Sequence, residues 1–274
     1  MQRTILPALL LLMACREPRP VATVPADRPM PEAGNTSRER VSAWNTDAVV
    51  WQHTSAEAHR LFLQGFELAR IRLADNLVRT DERPAAVVVD IDETVLDNSP
   101  YQVHIVNEGT TYDQASWKAW TDRSQARAMP GAVEFLLHAQ RSGCEVFYIT
   151  NRDIRERAST LRNLDSLGFP FADDRHLMLM DGSSDKTERR ASVSATHRIV
   201  LLIGDQLRDF DERFKDRSDD YGKGVVEEMA DTLQRYFILL PNPMYGTYRD
   251  PVQGKGSDAE KEERTRSWFK SNAY

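Results

Sequence analysis

The sequence has little of what marks several common classes of protein. Its six histidines are scattered, with no HxxxH or similar spacing, which argues against a histidine-built metal site. Basic residues are not in excess, since the formal net charge is -6, and a chain without a basic surface does not bind nucleic-acid polymers in bulk. There is no internal repeat. The apolar run at the N-terminus is too short to cross a bilayer as a helix. What remains is a chain of 274 residues that can bury one sizeable core.

The N-terminus has the pattern of an export signal. Residues 1–15 read MQRTILPALLLLMAC, with one arginine, an apolar run and a cysteine. The last four letters resemble the bacterial lipoprotein box, which implies a signal peptide over 1–15 and a lipid anchor on Cys15. Because Arg16 and not aspartate follows the cysteine, the resemblance further implies the outer membrane of the cell envelope. The alternative is an ordinary cleaved signal with an incidental cysteine. If Cys15 carries lipid, Cys144 has no partner for an intrachain disulfide and is a small buried hydrophobic residue.

Composition divides the rest of the chain into three parts. Residues 16–44 hold five prolines among polar and charged residues, which predicts an extended tether. A folded domain over 45–250 follows, and then a highly charged tail over 251–274 that is predicted to be a surface helix or a frayed end. Within the domain, Thr54 with Glu57 three residues later fits a capping box, at the start of an amphipathic helix that docks on the core.

Buried strands alternate with helical patterns along the domain. Three apolar runs predict strands, Ala85 to Ile91, Cys144 to Thr150 and Arg198 to Ile203, and shorter candidates are His176 to Met180 and Phe237 to Leu240. This alternation predicts an α/β fold with a parallel sheet flanked by helices. Ligands of such sheets bind beyond the carboxyl ends of the strands.

Two acids, Asp90 and Asp92, end the first strand. Side chains alternate along a strand, so residues two apart share a face. Neighbouring carboxylates repel each other and lose solvation, and a fold tolerates them mainly where a cation or a proton transfer uses them. The alternative is a pair of acids that cap the following helix.

The other two strands are also followed by polar residues. The polar residues that follow the second and third strands, or lie between them, are Thr150, Asn151, Arg152, Lys186, Asp205 and Asp209.

These residue types suit phosphoryl transfer at one edge of one sheet. A phosphate monoester is doubly anionic, so a cation must screen an attacking carboxylate, and Mg²⁺ prefers oxygen ligands. Asp90 as the nucleophile would form an aspartyl-phosphate. Asp92 would protonate the leaving alcohol and then deprotonate the hydrolytic water. Lys186 and the Thr150 hydroxyl would neutralise and orient the phosphoryl oxygens.

The sequence resembles the haloacid dehalogenase (HAD) superfamily of phosphotransferases. Its four motifs are matched by the stretches around Asp90, Thr150, Lys186 and Asp205. Within it, DIDETVLDNSPY and GDQLRDF resemble the signatures of the class C acid phosphatases, lipoprotein enzymes of the bacterial cell envelope. The resemblance covers about 45–250 and extends to WQHTSAE, WKAW, FYITNR and NPMYG. It implies a HAD-like Rossmannoid fold with a minimal cap and an N-terminal helical segment. It also implies Mg²⁺ as the cofactor and small phosphomonoesters as substrates, and it leaves a homodimer open.

The resemblance implies a role for each matching residue. Asp90 matches the nucleophile and a metal ligand, and Asp92 matches the acid/base, whose backbone carbonyl also binds the metal. The implied metal-site residues are Asp90, Asp92, Asp205 and Asp209, and the implied phosphate-binding residues are Thr150, Asn151 and Lys186. One departure is Gln206, which stands where the family has asparagine. Its longer amide would move a metal-bound water.

Aromatic residues are the candidates for recognising the leaving group. Trp117, Trp120 and Tyr245 resemble residues near the mouth of the family's open site, where a planar base can stack on such rings. The resemblance therefore implies nucleoside 5′-monophosphates as the favoured substrates, as in a nucleotidase. The alternative is that Trp117 and Trp120, three residues apart on a helix, belong to the core.

Several of these assignments have a simple structural alternative. Lys186 could be a solvated helix lysine, and Thr150 a turn residue at a strand end. Asp209 could cap a helix or pair with a neighbouring arginine. Arg152 fits a structural ion pair as well as it fits a phosphate contact.

Two other functions stay open on the sequence alone. Another HAD phosphotransferase or mutase would share the motifs, but 101–130 is too short for the larger cap of a mutase. Ion-pumping relatives generally lack the second acid, Asp92. A non-catalytic envelope lipoprotein would have lost the nucleophile first, and Asp90 is intact.

Overall fold

The computed structural model describes residues 36–79 and 82–274. The predicted signal peptide, the lipidation site Cys15 and most of the predicted tether lie outside the described residues. Over those two ranges, no helix has both the length and the apolar character needed to cross a membrane.

A five-stranded parallel sheet forms the centre of the structure, in the order β5-β4-β1-β6-β7. Its strands are β1 (Ala85–Val89), β4 (Glu145–Asp153), β5 (Leu177–Met180), β6 (Arg198–Gly204) and β7 (Phe237–Leu239). A small antiparallel pair is formed by β2 (Leu96–Asp97) and β3 (Arg127–Ala128). The predicted parallel sheet is thus confirmed, and both short strand candidates belong to it.

Helices surround the sheet. The α-helices are α1 (Ser37–Ala43), α2 (Thr46–Thr54), α3 (Ala56–Leu77), α4 (Ser99–Asn107), α5 (Gln114–Thr121), α6 (Ala132–Arg141), α7 (Arg157–Ser166), α8 (Thr187–Thr196), α9 (Lys223–Glu228), α10 (Ala230–Tyr236), α11 (Asp250–Gln253) and α12 (Asp258–Asn272). Short 3₁₀ helices span Ile154–Glu156, Leu207–Asp209, Glu212–Lys215, Asp220–Gly222 and Thr247–Arg249. Between β1 and β4 the chain adds only α4, α5, α6 and the β2–β3 pair, in place of a separate cap domain.

The central strand β1 is buried on both faces. Val87 and Val89 belong to a hydrophobic cluster that includes Phe62 of α3, whereas Val88 belongs to a second cluster with Phe147. β-branched residues suit such a strand because they pack well on a pleated surface covered on both sides. The backbone N–H of Asp90 donates to the carbonyl of Ile203 at 2.9 Å, so the end of β1 lies beside the end of β6.

The predicted tether extends too far along the chain. Helix α1 lies inside the range 16–44, and it begins with a capping box in which Thr36 and Glu39 each accept from the other's backbone N–H. A two-point ion pair from Arg40 to Glu262 of α12, with Nε–Oε1 and Nη2–Oε2 distances of 2.6 and 2.8 Å, fixes it to the domain. The tail predicted over 251–274 is largely helical, since α12 occupies most of it.

The cap of α3 lies one residue later than the predicted capping box. Thr54 is the last residue of α2, and its hydroxyl donates to the carbonyl of Val50 at 2.7 Å. Ser55 is the N-cap, and its hydroxyl accepts from the N–H of Ala58 at 3.0 Å. The shift follows from α2, a helix that the sequence did not predict.

Candidate active site

The polar residues that follow the strands meet at one edge of the sheet. Asp90 and Asp92 follow β1, and Asp205 follows β6. Lys186 directly precedes α8. All four line one cavity of about 380 Å³. The parallel sheet brings them together because its strands all end at this edge.

Asp90 is a buried carboxyl beside a buried cation. The Lys186 ammonium donates to Oδ1 of Asp90 at 2.5 Å, and the Thr94 hydroxyl donates to Oδ2 at 3.4 Å. Burial raises the pKa of Asp90 from 3.8 to about 7. The charge of Lys186 opposes this rise, and the charges of Asp209 and Asp92 add to it. Lys186 is therefore not a solvated helix lysine.

Three carboxylates form a compact group of oxygens. Asp90, Asp205 and Asp209 each place one oxygen within 4.8 Å of the others. Burial, together with the charges of Asp209 and Asp90, raises the pKa of Asp205 well above its usual value. Hard oxygen donors in this number fit Mg²⁺, which binds few protein carboxylates and keeps other positions for water and phosphate. The chemistry of the donors therefore suits the cofactor that the sequence predicts.

The position of Asp209 depends on its neighbours. Its Oδ2 accepts from the backbone N–H of Gln206 at 2.9 Å, and its Oδ1 accepts from Lys186 at 2.8 Å. A methyl group at Gly204 would overlap the Asp209 carboxylate, so a glycine at this position allows the acid to approach. Arg208 pairs with Glu212 instead of Asp209.

Asp92 is held by a buried arginine. The Arg152 guanidinium donates to Oδ1 of Asp92 from Nη2 at 2.8 Å and from Nε at 3.0 Å. The amide of Asn98 donates to the same oxygen at 2.8 Å. The Arg152 side chain also lines the cavity and stands 5.8 Å from the centre of the Trp117 ring. The ion-pair alternative for Arg152 is therefore observed, at a place that also faces the cavity.

Thr150 and Asn151, two neighbouring residues of β4, differ in their exposure to solvent. Thr150 is fully buried, and its hydroxyl accepts from the backbone N–H of Arg152 at 3.1 Å and donates to Oδ2 of Asp92 at 3.4 Å. Asn151 is exposed and lines the cavity. Its Oδ1 accepts from Nη2 of Arg189 at 2.8 Å. Burial lowers the pKa of the Arg189 guanidinium.

Three residues that the sequence does not single out support the site. Arg189 bridges Asn151 and the carbonyl of Thr150. Asn242 donates to Oδ2 of Asp205 at 2.7 Å, and Asn98 donates to Asp92. Asn98 and Asn242 lie within the motifs DIDETVLDNSPY and NPMYG, but an uncharged amide gives no signal that separates it from a turn residue.

The aromatic candidates occupy different positions. Trp117 and Tyr245 line the cavity, and Trp117 also packs edge-to-face on Tyr101 with ring centres 5.1 Å apart. Within the described residues, Trp120 is not among the side chains that line the cavity. Its indole N–H instead donates to Oδ1 of Asn98 at 2.8 Å. Tyr112, which the sequence did not single out, stands exposed at the wall, 6.3 Å from the Trp117 ring.

The N-terminal helical segment supplies part of the cavity wall. Val41 and Ser42 of α1 and the following Asn45 line the cavity. Nη2 of Arg249, another lining residue, donates to Oδ1 of Asn45 at 2.6 Å. Part of the site therefore comes from residues that the sequence assigned to the tether.

Gln206 connects the acid cluster to the wall of the cavity. Its side-chain amide donates to Oδ2 of Asp205 at 2.9 Å and to the carbonyl of Tyr245 at 3.2 Å. A Cβ at Gly246 would collide with this side chain. The longer amide is therefore accommodated by a glycine in the opposite loop.

A family model and two solved structures agree on one family. Residues 31–248 match the family model for subfamily IIIB (acid phosphatase) of the HAD superfamily. The class C acid phosphatase of Bacillus anthracis is 34% identical in sequence, with a TM-score of 0.79, covering 86% of this chain and 98% of that one. Its structure with tungstate bound is 33% identical, with a TM-score of 0.80, over the same shares.

Two plant proteins are similar over part of their length. Acid phosphatase 1 of Solanum lycopersicum is 29% identical over 167 residues, which cover 58% of this chain and 57% of that protein. The stem 31 kDa glycoprotein of Glycine max is 26% identical over 166 residues, 58% of each chain. The match thus spans less than two thirds of either plant protein.

Proposed function

The chain belongs to the class C acid phosphatases of the HAD superfamily, and on that premise we propose that it is a Mg²⁺-dependent phosphomonoesterase that works through an aspartyl-phosphate. The observation that carries the proposal is the buried cluster of Asp90, Lys186, Asp205 and Asp209 at the edge where the parallel strands end. Burying several charged groups together costs desolvation free energy. Such clusters are typical of functional sites.

Asp90 is the group that attacks phosphorus. One carboxylate oxygen forms a bond to phosphorus while the bond from phosphorus to the ester oxygen breaks. Asp90, Asp205 and the backbone carbonyl of Asp92 would hold Mg²⁺, and Asp209 would hold its shell or its waters. When bound, the metal would supply positive charge that screens the nucleophile and the phosphate. The Lys186 ammonium neutralises a phosphoryl oxygen. It is already within hydrogen-bond distance of the nucleophile.

Asp92 carries the proton in both half-reactions. It gives a proton to the ester oxygen as the alcohol leaves, and it remains as a carboxylate. It then takes a proton from the water that attacks the aspartyl-phosphate, which releases phosphate and restores Asp90. Asp92 lines the same cavity as Asp90, so it can reach the bridging oxygen from the cavity side.

Metal removal provides a test on stability as well as on activity. Because the pKa of Asp90 is about 7 in the metal-free fold and 3.8 ordinarily, the folded protein binds this proton more tightly than the unfolded chain does. The free energy of unfolding of the metal-free protein should therefore fall as the pH rises from about 5 to about 7. Asp205 acts in the same direction. Mg²⁺ needs deprotonated ligands, so its stabilising effect should grow over the same range.

The measurement is thermal unfolding of EDTA-treated protein with and without added Mg²⁺, at several pH values from about 5 to about 8, beside turnover of p-nitrophenyl phosphate. Carboxylates with a depressed pKa, such as Glu262 at about 2, are ionised in both states above about pH 5 and do not obscure the trend. Asp90→Asn should weaken the dependence on pH, and the part that comes from the raised pKa values of Asp205 and Glu93 should remain. If neither stability nor turnover changed on treatment with EDTA or on addition of Mg²⁺, the proposed dependence on the metal would be contradicted.

We also propose nucleoside 5′-monophosphates as favoured substrates. The support is the aromatic wall formed by Trp117, Tyr112 and Tyr245, beside the apolar side chains of Val41 and Ile105. A planar base can stack on such rings, whereas the phosphate end needs only the acid cluster and Lys186. Small and aryl phosphomonoesters would then also be substrates, with weaker binding.

Replacing Tyr245 should separate substrates by their leaving group. Tyr245→Ala should raise KM for a nucleoside 5′-monophosphate roughly tenfold, since stacking on one ring contributes ~1–3 kcal/mol. The KM for glycerol phosphate, which has no ring, should change little. Tyr248→Ala is the matched control, because Tyr248 lies in the next turn and donates to the carbonyl of Pro243. Equal losses on both substrates would mean that Tyr245 only supports the fold.

Export and anchoring form a separate part of the proposal. The N-terminal pattern of residues 1–15 supports an envelope protein held by lipid on Cys15, at the outer membrane. If Cys15 is lipidated, globomycin should cause an unprocessed precursor to accumulate, and an unchanged protein size would contradict the anchor.

A further inference from the structure

Trp120 reaches the acid Asp92 through one buried amide. Its half-buried ring packs against the hydrophobic clusters on either side, and its indole N–H donates to Oδ1 of Asn98 at 2.8 Å. Asn98 has no exposed surface. Its amide nitrogen donates to Oδ1 of Asp92 at 2.8 Å. One side-chain amide thus connects the tryptophan to the acid.

The chemistry of the neighbours determines which way this amide points. An indole N–H and a guanidinium can only donate hydrogen bonds. Trp120 at 2.8 Å and Arg152 Nη2 at 3.5 Å both approach the same end of the Asn98 amide. That end must therefore be the oxygen, and the NH₂ group must face Asp92. Without the indole N–H, the oxygen of this amide would keep the long contact from Arg152 Nη2, and the orientation would rest mainly on the bonds that its NH₂ group donates to Asp92 and to the carbonyl of Leu96.

The two oxygens of Asp92 have unequal surroundings. Oδ1 accepts from Asn98 and from both Nη2 and Nε of Arg152, all within 3.0 Å. Among residues 36–79 and 82–274, Oδ2 has only two contacts, and both are long: 3.3 Å to Nε of Arg152 and 3.4 Å to the Thr150 hydroxyl. Oδ1 is saturated by short hydrogen bonds, whereas the two contacts of Oδ2 are long and weak, so Oδ2 is the oxygen that can take a proton.

We propose that Trp120, Asn98 and Arg152 are positioning residues that fix Oδ1 of Asp92, so that Oδ2 is the oxygen that exchanges the proton. This inference rests on the proposed function. When the P–O bond of the ester breaks and the bond from Asp90 to phosphorus forms, the proton on Oδ2 moves to the ester oxygen, and Asp92 is left as a carboxylate. The guanidinium of Arg152 stabilises that negative charge.

The role assigned to Trp120 differs from that of a substrate contact in a measurable way. An alkoxide is a poor leaving group and needs the proton from Asp92, whereas p-nitrophenolate leaves with little help. If Asp92 is poorly positioned, the hydrolysis of alkyl phosphates should therefore slow more than the hydrolysis of p-nitrophenyl phosphate. The parameter to compare is kcat/KM, because it covers only the steps up to the loss of the leaving group.

The experiment uses Trp120→Phe and a series of phosphomonoesters from alkyl to p-nitrophenyl. We expect kcat/KM for alkyl phosphates to fall roughly tenfold, which is a part of the roughly 10²–10⁴-fold that general acid–base catalysis contributes. We expect kcat/KM for p-nitrophenyl phosphate to fall less than about twofold. Trp268→Phe on α12 is the control. It also removes an indole N–H donor, the one bonded to the Tyr221 hydroxyl at 3.1 Å, and it should leave the whole series unchanged.

Two outcomes would overturn the inference. A uniform fall in kcat/KM across the series would mean that Trp120 supports only the fold. A loss confined to nucleoside 5′-monophosphates, with simple alkyl phosphates hydrolysed normally, would mean that Trp120 contacts the base. If the wild-type protein hydrolyses none of the esters, the proposed function itself has failed, which is a distinguishable result.

A second variant tests the connection through Asn98. Asn98→Ala should show the same dependence on the leaving group, and Trp120→Phe should add nothing to it, because residues that act through one another are not additive. If the effects of Asn98→Ala and Trp120→Phe on the logarithm of kcat/KM were fully additive, the connection from Trp120 through Asn98 to Asp92 would be contradicted. Should Asn98→Ala fail to fold, the result with Trp120→Phe decides the question.

Discussion

Asp90→Asn is expected to lower kcat for every phosphomonoester by at least about three orders of magnitude, because it removes the nucleophile. The amide has nearly the same shape as the carboxyl. Its oxygen can still accept from Lys186, which contacts Asp90 at 2.5 Å in the wild-type protein. A neutral amide, however, cannot form an acyl phosphate. The fold should remain, and the metal-free variant should be at least as stable as the wild type near neutral pH, because burial disfavours the ionised form of Asp90 and Lys186 keeps Asp209 as its partner.

Trapping the intermediate would assign the nucleophile directly. In Asp92→Asn, p-nitrophenyl phosphate can still transfer its phosphoryl group, because its leaving group needs little protonation. The general base for hydrolysis is missing, so the phosphoryl-enzyme should accumulate and appear by mass spectrometry on the peptide that contains Asp90. A phosphoryl group found on another residue, or normal turnover by Asp90→Asn, would refute the assignment. The control is Asp122→Asn, at an exposed ion pair with Lys118, which should turn over as the wild type does.

The sequence predicts the sheet and its acids because these depend on local pattern. A β-branched run such as that of β1 is recognisable by itself, and the rule for parallel sheets then places the residues after each strand at one edge. Asp90 and Asp205 follow from these two steps, whereas the roles of Lys186 and Asp209, which lie farther from a strand end, follow from the match to the family motifs. Each of these residues is charged, and charged residues close to apolar runs are easily recognised in a sequence.

The supporting contacts could not be predicted, because they join distant parts of the chain. Arg152 and Asp92 are 60 residues apart, and Trp120 and Asn98 are 22 apart. Nothing in the spacing of Trp117 and Trp120 shows that one ring lines the cavity and the other orients an amide. That difference depends on the direction in which α5 packs.

The error at the N-terminus has another cause. The tether was predicted from proline content, but the last of its five prolines is Pro31. A local signal for helix α1 was present in Thr36 and Glu39, which form the observed capping box. The contact that holds α1 in place, from Arg40 to Glu262, spans 222 residues and has no signature in the sequence.

Lys186→Met is expected to destabilise the metal-free protein by about 3–5 kcal/mol near pH 8, because removing one partner of a buried ion pair leaves the other charges uncompensated. Lys186 is 3% exposed and contacts Asp90 and Asp209. Burial lowers its pKa, but the charges of these two acids outweigh burial and the net pKa is raised. The ammonium is therefore charged throughout the range in which the site works.

The destabilisation should depend on conditions in a way that identifies its origin. It should shrink towards about pH 5, where Asp90 and Asp205 take up protons, and it should shrink when Mg²⁺ is added, because the metal replaces the missing positive charge. Activity should not return with the metal. The phosphoryl oxygens would still lack a donor, and kcat/KM should stay lower by on the order of 10²–10³. Thermal unfolding and turnover on the same samples measure both effects.

Lys118→Met is the matched control for the lysine. Lys118 pairs with Asp122 at the surface of α5, with side-chain exposures of 37% and 48%, and such a pair contributes about 0–1 kcal/mol. If Lys186→Met were no more harmful than Lys118→Met, the lysine would be a solvated side chain and the acid cluster would need another counter-charge. A large loss of stability that Mg²⁺ reverses, together with a loss of turnover that it does not, would separate the two tasks of Lys186. One is to neutralise the acids in the metal-free protein, and the other is to bind the phosphoryl group.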